Sequence, residues 1–185
     1  REIVVWAAMD CEYVVKLKNH YEADSKIFLV CEGCWGGDMV NHIQARFQTG
    51  VQFDRHELRN ITWRLLKGLE YLHNRPDGPV VHRDLKPDNI LVFDKDDVTS
   101  VKIADFGHAK FMMKDESRTY TVGLGTVEYA APEVKVNQFV SELEGGNTGH
   151  GTEQDMWGLG ASLYAMVCGA APFGRRGGKT VFQIR

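Results

Sequence analysis

Two short motifs contain the side chains that a phosphoryl-transfer site requires. The first is His-Arg-Asp-Leu-Lys-Pro-Asp-Asn at residues 82–89, and the second is Asp-Phe-Gly at residues 105–107. Phosphoryl transfer depends on positioning and charge neutralisation more than on covalent help from the protein. A carboxylate can accept a hydroxyl proton, a lysine can neutralise the moving phosphate, and oxygen-bearing side chains can hold Mg²⁺. The candidates are Asp84, Lys86, Asn89 and Asp105.

The composition is that of an ordinary globular domain. Of the 185 residues, 43% are hydrophobic and 25% are charged, and the net charge is −3. This charge gives no general basic field for nucleic acid. No apolar run approaches the ~20 residues of a membrane span, and the N-terminus lacks a signal-peptide pattern. We therefore expect no nucleic-acid partner, no membrane partner and a cytoplasmic location, with the nucleus not excluded.

The four cysteines favour a reducing compartment. Cys31 and Cys34 form a C-x-x-C pair, which could indicate zinc or redox chemistry. No second pair or nearby histidine cluster completes a zinc site. We therefore interpret them as two reduced thiols in a strand and the turn after it.

Two long helices are predicted. The first covers residues 54–74, where Asp54 and Glu57 resemble a capping box. Its apolar side chains recur at three- and four-residue steps, at Leu58, Ile61, Leu65, Leu69 and Leu72. The second covers residues 154–168, which are apolar on nearly every side and predict a buried helix that stops at Gly169.

Shorter elements surround these helices. Residues 1–9 have the pattern of a helix tail, and Gly36-Gly37 opens a short helix with Asp38 in its first turn. Strands are expected at residues 13–17, 26–32, 80–81, 90–93 and 101–103. The first two would form a hairpin through a polar connection at 19–25, and residues 94–100 would form the turn of a second hairpin. Residues 140–153, which are rich in glycine and polar residues, are expected to form a surface loop.

The order of the motifs identifies a family. Residues 82–89 fit H-R-D-L-x-x-x-N, and the D-F-G follows at 105–107. Residues 125–133, Gly-Thr-Val-Glu-Tyr-Ala-Ala-Pro-Glu, resemble the G-T-x-x-Y-x-A-P-E that closes a kinase activation segment, and residues 155–158 match D-x-W-[SG]. The chain thus resembles the serine/threonine protein kinases over nearly its whole length.

This resemblance implies an α+β, protein-kinase-like fold and a partial kinase domain over residues 1–185. Residues 1–32 would be the end of the small lobe, with one helix tail and a hairpin. Residues 33–38 would be the hinge, and residues 39–185 a mostly helical, incomplete large lobe. The start of the small lobe and the C-terminal helices would lie outside these residues.

The resemblance also assigns roles at the phosphate end. Asp84 would be the catalytic base, Lys86 would contact the transferring phosphate, and Thr126 would hydrogen-bond both. Asn89 and Asp105 would hold the Mg²⁺ that accompanies ATP. Lys86 and Thr126 favour serine and threonine over tyrosine as acceptors in a protein substrate.

The segment at residues 29–38 resembles the strand and hinge that meet adenine. Backbone groups of Glu32 and Cys34 would bond the adenine edge, and Asp38 would reach the ribose. Leu91 would form the apolar floor below the base, with Met39 as a further candidate. Hinge sequences vary widely, so an ordinary strand and turn is the alternative.

Three further roles follow from the family pattern. His82 and Phe106 are expected to be packing residues, with Phe106 near Trp6. Asp155 is expected to accept hydrogen bonds from backbone amides of the catalytic loop. Arg83 would pair with a phosphate placed on the activation segment by an upstream kinase, with Thr121 and then Thr119 as the preferred acceptors.

The family pattern is incomplete in these residues. The Gly-rich loop and the strand lysine of V-A-I-K are absent, and Glu2 falls where the partner glutamate of that lysine would lie. The 185 residues alone are therefore expected to bind ATP weakly. A catalytically inactive, pseudokinase-like binding module is the main alternative function. A small-molecule phosphotransferase is disfavoured, because residues 125–133 resemble a platform for a peptide substrate.

Overall fold

The computed structural model describes residues 2–112, 126–134 and 151–173. Its helices are α1 (Glu2–Ala7), α2 (Met39–Thr49), α3 (Arg55–His73) and α4 (Glu153–Cys168). Its strands are β1 (Leu17–Ala23), β2 (Lys26–Cys31), β3 (Gly37–Asp38), β4 (Val80–Val81), β5 (Ile90–Asp94), β6 (Asp97–Ile103) and β7 (Lys110–Phe111). The presence of both helices and small antiparallel sheets confirms the predicted α+β class.

Helix α3 forms where its capping box and apolar stripe predict it. The Asp54 side chain accepts a hydrogen bond from the Glu57 N–H at 2.8 Å, and the Glu57 carboxylate accepts from the Asp54 N–H at 2.9 Å. These two bonds satisfy N–H groups that a helix start leaves without partners. The stripe is buried at Ile61, Leu65, Leu69 and Leu72, and Leu58 packs against the same core.

The first hairpin forms, but the predicted position of its first strand is wrong. Strand β1 runs over Leu17–Ala23, so the polar residues 19–23 are strand and not connection. The turn is Asp24-Ser25, whose φ angles of 51° and 59° suit a tight two-residue hairpin turn. Val14 and Val15 are buried without forming a regular strand, because their backbone lies against Ile103 instead of β2.

Three strands form an antiparallel sheet with residues 37–38 at its edge. Its order is β3-β5-β6, and β4 pairs separately with β7. The turn between β5 and β6 is shorter than predicted, because Asp94 pairs with Asp97 and β6 begins there. The polar side chains that suggested a longer turn, such as Thr99, lie on the partly exposed start of β6.

Helix α4 ends at Gly169, as the sequence predicts, with the glycine in the left-handed region at φ 70°. One face is buried through residues such as Leu159 and Met166. The opposite face is not buried within the described residues, since Met156, Trp157, Tyr164 and Val167 are exposed. Within the described residues, the prediction of a buried helix is therefore confirmed for one face of α4. Most of the predicted loop at 140–153 lies outside the described residues.

Candidate active site

Asp84 lies at the centre of the site and is 7% exposed. Its carboxylate is 2.9 Å from Lys86 Nζ. The Thr126 N–H donates to Asp84 Oδ1 at 2.8 Å, and the Thr126 hydroxyl donates to the same oxygen at 3.1 Å. Lys86 Nζ also donates to the Thr126 hydroxyl at 2.5 Å. The structure thus brings together the three residues predicted to be catalytic.

These contacts determine the charge state of Asp84. Burial alone would raise its pKa, because a buried carboxylate loses its hydration. Hydrogen bonds and charge attraction from Lys86, with further hydrogen bonds from Thr126, outweigh burial, so the net pKa lies below the ordinary value. Asp84 is therefore held as a carboxylate, which is the form that can accept a proton.

Asn89 lies next to Asp84, at the end of the short 3-10 turn at Pro87–Asn89. Its side-chain N–H donates to the Asp84 carbonyl at 2.8 Å and to the Asp84 carboxylate at 3.2 Å. Because the amide nitrogen makes both bonds, the amide oxygen stays available as a ligand for a hard cation. The turn places Asn89 beside Asp84 and on the segment that leads into β5.

Asp105 follows β6 on a neighbouring segment. The Ala104 N–H donates to the Asn89 carbonyl at 2.9 Å, which ties the two predicted Mg²⁺ ligands together through the backbone. Asp105 is exposed, and one carboxylate oxygen accepts from the Gly107 N–H at 3.1 Å. Its φ of 62° lies in the left-handed region, which is sparsely populated by residues other than glycine. Such backbone strain concentrates at functional sites.

Helix α4 anchors the loop that carries Asp84. Asp155 is 1% exposed, and its two carboxylate oxygens accept from the N–H groups of His82 and Arg83 at 2.8 Å each. Arg83 has a φ of 70°, so these bonds hold a strained backbone in place. The prediction for Asp155 is confirmed. The sequence analysis did not identify His73, whose Nε2 lies 2.8 Å from the same carboxylate. The one sequence feature that points to His73 is its position in the last turn of α3.

The predicted packing residues also meet. His82 and Phe106 are both fully buried, with ring centres 5.2 Å apart, and Phe106 lies 5.5 Å from the Trp6 ring. The His82 Nε2 is 2.9 Å from the Ala104 carbonyl. His82 is therefore engaged in the core, as expected of a structural residue.

One side-chain nitrogen of Arg83 has no hydrogen-bond partner among the described residues. Its Nε donates to the His108 carbonyl at 2.5 Å. Its Nη1 is buried and has no hydrogen-bond partner among the described residues. Thr119 and Thr121, the predicted phosphorylation sites, and Glu2, the predicted ion-pair partner, lie outside the described residues and side chains.

The hinge prediction places Glu32 and Cys34 at the other end of the site. The Glu32 N–H donates to the Lys16 carbonyl at 2.9 Å. The Trp35 N–H donates to the Phe93 carbonyl at 3.0 Å, which fixes the far end of the segment on β5. The Glu32 carbonyl and the Cys34 N–H have no hydrogen-bond partner among the described residues. One acceptor and one donor thus remain available to a ligand.

Leu91 and Asp38 lie beside this segment. They are direct partners in the β3-β5 ladder. Leu91 is partly buried against the core, and the Asp38 side chain caps α2 by accepting from the Asn41 N–H at 2.8 Å. Met39, the further floor candidate, is fully buried. Burial raises the pKa of both the Cys31 and the Cys34 thiols, which favours their protonated form.

No helix in the described ranges is both long and apolar enough to cross a membrane.

Comparison with known proteins agrees with this geometry. The family model described as "Protein kinase domain" matches residues 1–185. The chain is 37% identical to human "Serine/threonine-protein kinase DCLK3" over 93% of its own length and 24% of the relative. It is 32% identical to rice (Oryza sativa subsp. japonica) "Calcium/calmodulin-dependent serine/threonine-protein kinase 1" over 92% of its length and 25% of the relative.

A third relative is "Calcium-dependent protein kinase 27" of Arabidopsis thaliana, at 33% identity over 94% of the chain and 33% of the relative. The chain therefore spans between a quarter and a third of the length of these proteins. The match of the family model over all 185 residues agrees with the order of the motifs and with the contacts around Asp84. On this evidence the chain belongs to the serine/threonine protein kinase family.

Proposed function

We propose that the protein transfers the γ-phosphoryl group of ATP to a serine or threonine hydroxyl of a protein substrate. The observation that carries this proposal is the arrangement of Lys86 and Thr126 on the carboxylate of Asp84. A buried carboxylate held in its charged form can accept the proton of an attacking hydroxyl. An adjacent cation can neutralise the charge that develops on the transferred group.

Asp84, Lys86 and Thr126 would each have a separate role in the transfer. Asp84 accepts the proton as the substrate oxygen attacks. Lys86, which bridges Asp84 and Thr126, contacts the phosphoryl oxygens as they leave ATP. Thr126 keeps the two charged side chains in register by donating to one and accepting from the other.

Asn89 and Asp105 fit a magnesium site by the chemistry of their donors. Both present oxygen ligands, which a hard cation prefers, and both lie on segments joined by the Ala104–Asn89 hydrogen bond. When bound with ATP, Mg²⁺ would neutralise charge on the phosphates. The protein's own contribution is to hold the two oxygen donors close to the base.

The hinge supports the assignment of ATP as the phosphate donor. The unpaired Glu32 carbonyl and Cys34 N–H match the acceptor and donor that an adenine edge requires. Leu91 would lie beneath the base, and Asp38 would approach the ribose. The division into small-lobe residues 1–32, hinge residues 33–38 and large-lobe residues 39–185 is part of the same proposal.

Regulation by an upstream kinase is consistent with the surroundings of Arg83. A phosphate carries two or more charged oxygens that suit an arginine with an unpaired nitrogen. The buried Nη1 of Arg83 would supply that nitrogen. Thr121 and Thr119 stay the predicted acceptors.

Acceptor specificity gives the direct test. The full-length protein is incubated with Mg²⁺–ATP and matched peptides that differ only in serine, threonine or tyrosine, and the products are identified by mass spectrometry. We expect phosphoserine and phosphothreonine but no phosphotyrosine. ATP binding without transfer to any peptide would instead favour the pseudokinase-like binding module.

A further inference from the structure

Lys102 is an almost buried lysine in the middle of the apolar run Val101-Lys102-Ile103 on β6. Its side chain is 10% exposed, and its Nζ lies 2.7 Å from Glu32 Oε1. The same nitrogen lies 4.4 Å from the centre of the Phe93 ring. Lysine is seldom buried unless it is paired, so this position requires an explanation that strand packing alone does not give.

Glu32 is held from two other directions. Its carboxylate Oε1 also accepts from the Lys16 N–H at 2.8 Å, and its own N–H donates to the Lys16 carbonyl at 2.9 Å. These two bonds close a reciprocal ring between Glu32 and Lys16. The ion pair with Lys102 connects these two residues to strand β6.

The register of the sheet places Lys102 on the same face as Leu91, the proposed floor below adenine. Lys102 is the direct partner of Leu91 in the β5-β6 ladder. Directly opposed residues on antiparallel strands project from the same face of a sheet. Phe93, two residues beyond Leu91, projects from that face as well, which agrees with its contact to Lys102.

We propose that Lys102 is a positioning residue for adenine recognition. Its ion pair with Glu32 would hold the hinge so that the Glu32 carbonyl and the Cys34 N–H can bond the adenine edge. This inference rests on the proposed function, because it assumes that the hinge binds adenine. Lys102 touches no atom of the reaction, and its effect is transmitted through Glu32.

The physical reason is the cost of an uncompensated charge. Without Lys102, the Glu32 carboxylate, whose side chain is 15% exposed, would keep the Lys16 N–H as its one donor among the residues that the structure describes. A carboxylate in that position gains by turning towards water. Because the side chain and the carbonyl belong to one residue, that movement would also turn the peptide unit expected to meet adenine.

The test compares adenosine binding by variants of the full-length protein. Adenosine is used because it has no phosphates, so its binding does not involve the proposed Mg²⁺ ligands, and affinity is measured by titration calorimetry. Lys102→Met removes the charge but keeps most of the stem, and Lys102→Arg keeps the charge. Glu32→Gln keeps the acceptor for Lys16 but weakens the pair, and it replaces Lys102→Met if that variant fails to fold.

Arg46→Met is the matched control. Arg46 makes an ion pair with Glu57 at 2.7 Å, with side chains 20% and 22% exposed, so its N–O distance is the same as that of the hinge pair and its burial is close. It joins α2 to α3, away from the hinge. The Arg46→Met variant therefore shows how the loss of a largely buried ion pair outside the hinge affects adenosine affinity.

We expect Lys102→Met to weaken adenosine binding about tenfold, the effect of losing one charge-assisted hydrogen bond. Lys102→Arg should lose less, Arg46→Met should bind adenosine normally, and Mg²⁺–tripolyphosphate should bind all variants alike. Adenosine affinity that is unchanged in Lys102→Met, or equally reduced in Arg46→Met, would overturn the inference alone. A wild-type protein that does not bind adenosine would overturn the proposed function and this inference with it.

Discussion

Thr126 binds one carboxylate oxygen of Asp84 twice, through its backbone N–H at 2.8 Å and its hydroxyl at 3.1 Å. The two residues are 42 positions apart in sequence. The contact therefore links the segment that ends in the G-T-x-x-Y-x-A-P-E motif to the loop that carries the base. A change in the position of that segment would alter the hydrogen bonds of the base directly.

The hydroxyl of Thr126 can be tested apart from its backbone. Thr126→Ala removes the hydroxyl bonds to Asp84 and Lys86 but keeps the N–H, whereas Thr126→Ser keeps the hydroxyl. Hydrogen bonds to charged groups contribute about 1.5–3 kcal/mol. We expect kcat to fall by roughly tenfold to a hundredfold in Thr126→Ala, and to stay near wild type in Thr126→Ser. Equal losses in both variants would show that the methyl group, and not the hydroxyl, is required.

The lowered pKa of Asp84 predicts the pH dependence of catalysis. The active carboxylate form is present above the folded-state pKa and is lost as the pH falls through it. Because that pKa lies below the ordinary aspartate value of about 3.9, Asp84 should produce no acidic limb in kcat/KM between about pH 5 and 7.

Lys86→Met checks the cause of this shift. Without the cation, burial would raise the pKa of Asp84, so the acidic limb should move to higher pH. The measurement is the position of the limb in a pH–rate profile, which is independent of any loss in the absolute rate. A limb that does not move would mean that Lys86 does not set the charge state of the base.

Asp155 should be essential to stability. Asp155→Ala would leave the His82 and Arg83 N–H groups without their acceptor and would release His73. A buried donor left without its acceptor costs about 1–3 kcal/mol, so leaving both N–H groups without one should cost about 2–6 kcal/mol. Urea unfolding should show a loss of this size. The exposed pair Lys95–Asp96, with side chains 70% and 76% exposed, supplies the control, since Lys95→Ala should change stability little. Comparable losses in both variants would contradict the anchoring role.

Two glycines of α4 give a matched pair of substitutions. A Cβ on Gly158 would lie 2.7 Å from the Leu85 carbonyl oxygen, whereas a Cβ on Gly160 would meet nothing within 4 Å. Gly158→Ala should therefore push α4 away from the catalytic loop and lower both the melting temperature and kcat. Gly160→Ala should stabilise the protein by up to about 1 kcal/mol through helix propensity. Similar changes in the two variants would show that α4 does not pack closely on the loop.

Local patterns predicted the helices well, and the family resemblance predicted the grouping of Lys86 and Thr126 around Asp84. The capping box at Asp54 and the stop at Gly169 have local causes, so a short window of sequence contains them. The first strand was misplaced because the apolar residues Val14 and Val15 indicate burial, which their backbone achieves against Ile103 without strand pairing. The polar β1, in contrast, is mostly exposed and resembles a loop in sequence.

Long-range pairs could not be predicted in the same way. Glu32 and Lys102 are 70 residues apart, and only the fold shows that they form an ion pair. A lysine between two apolar strand residues was the one local signal, but it does not identify a partner. The family pattern supplied the contact between Asp155 and the catalytic loop, while His73 as a third partner came from the structure alone.

The most direct test of the kinase assignment is a single-turnover measurement on the full-length protein and Asp84→Asn. Asparagine keeps the shape of the side chain but cannot serve as a base. We predict that phosphoryl transfer to a serine peptide falls by about 10²–10⁴-fold, while adenosine affinity and melting temperature stay close to wild type. Transfer by Asp84→Asn at a rate within a few-fold of wild type would contradict the assignment of Asp84 as the catalytic base.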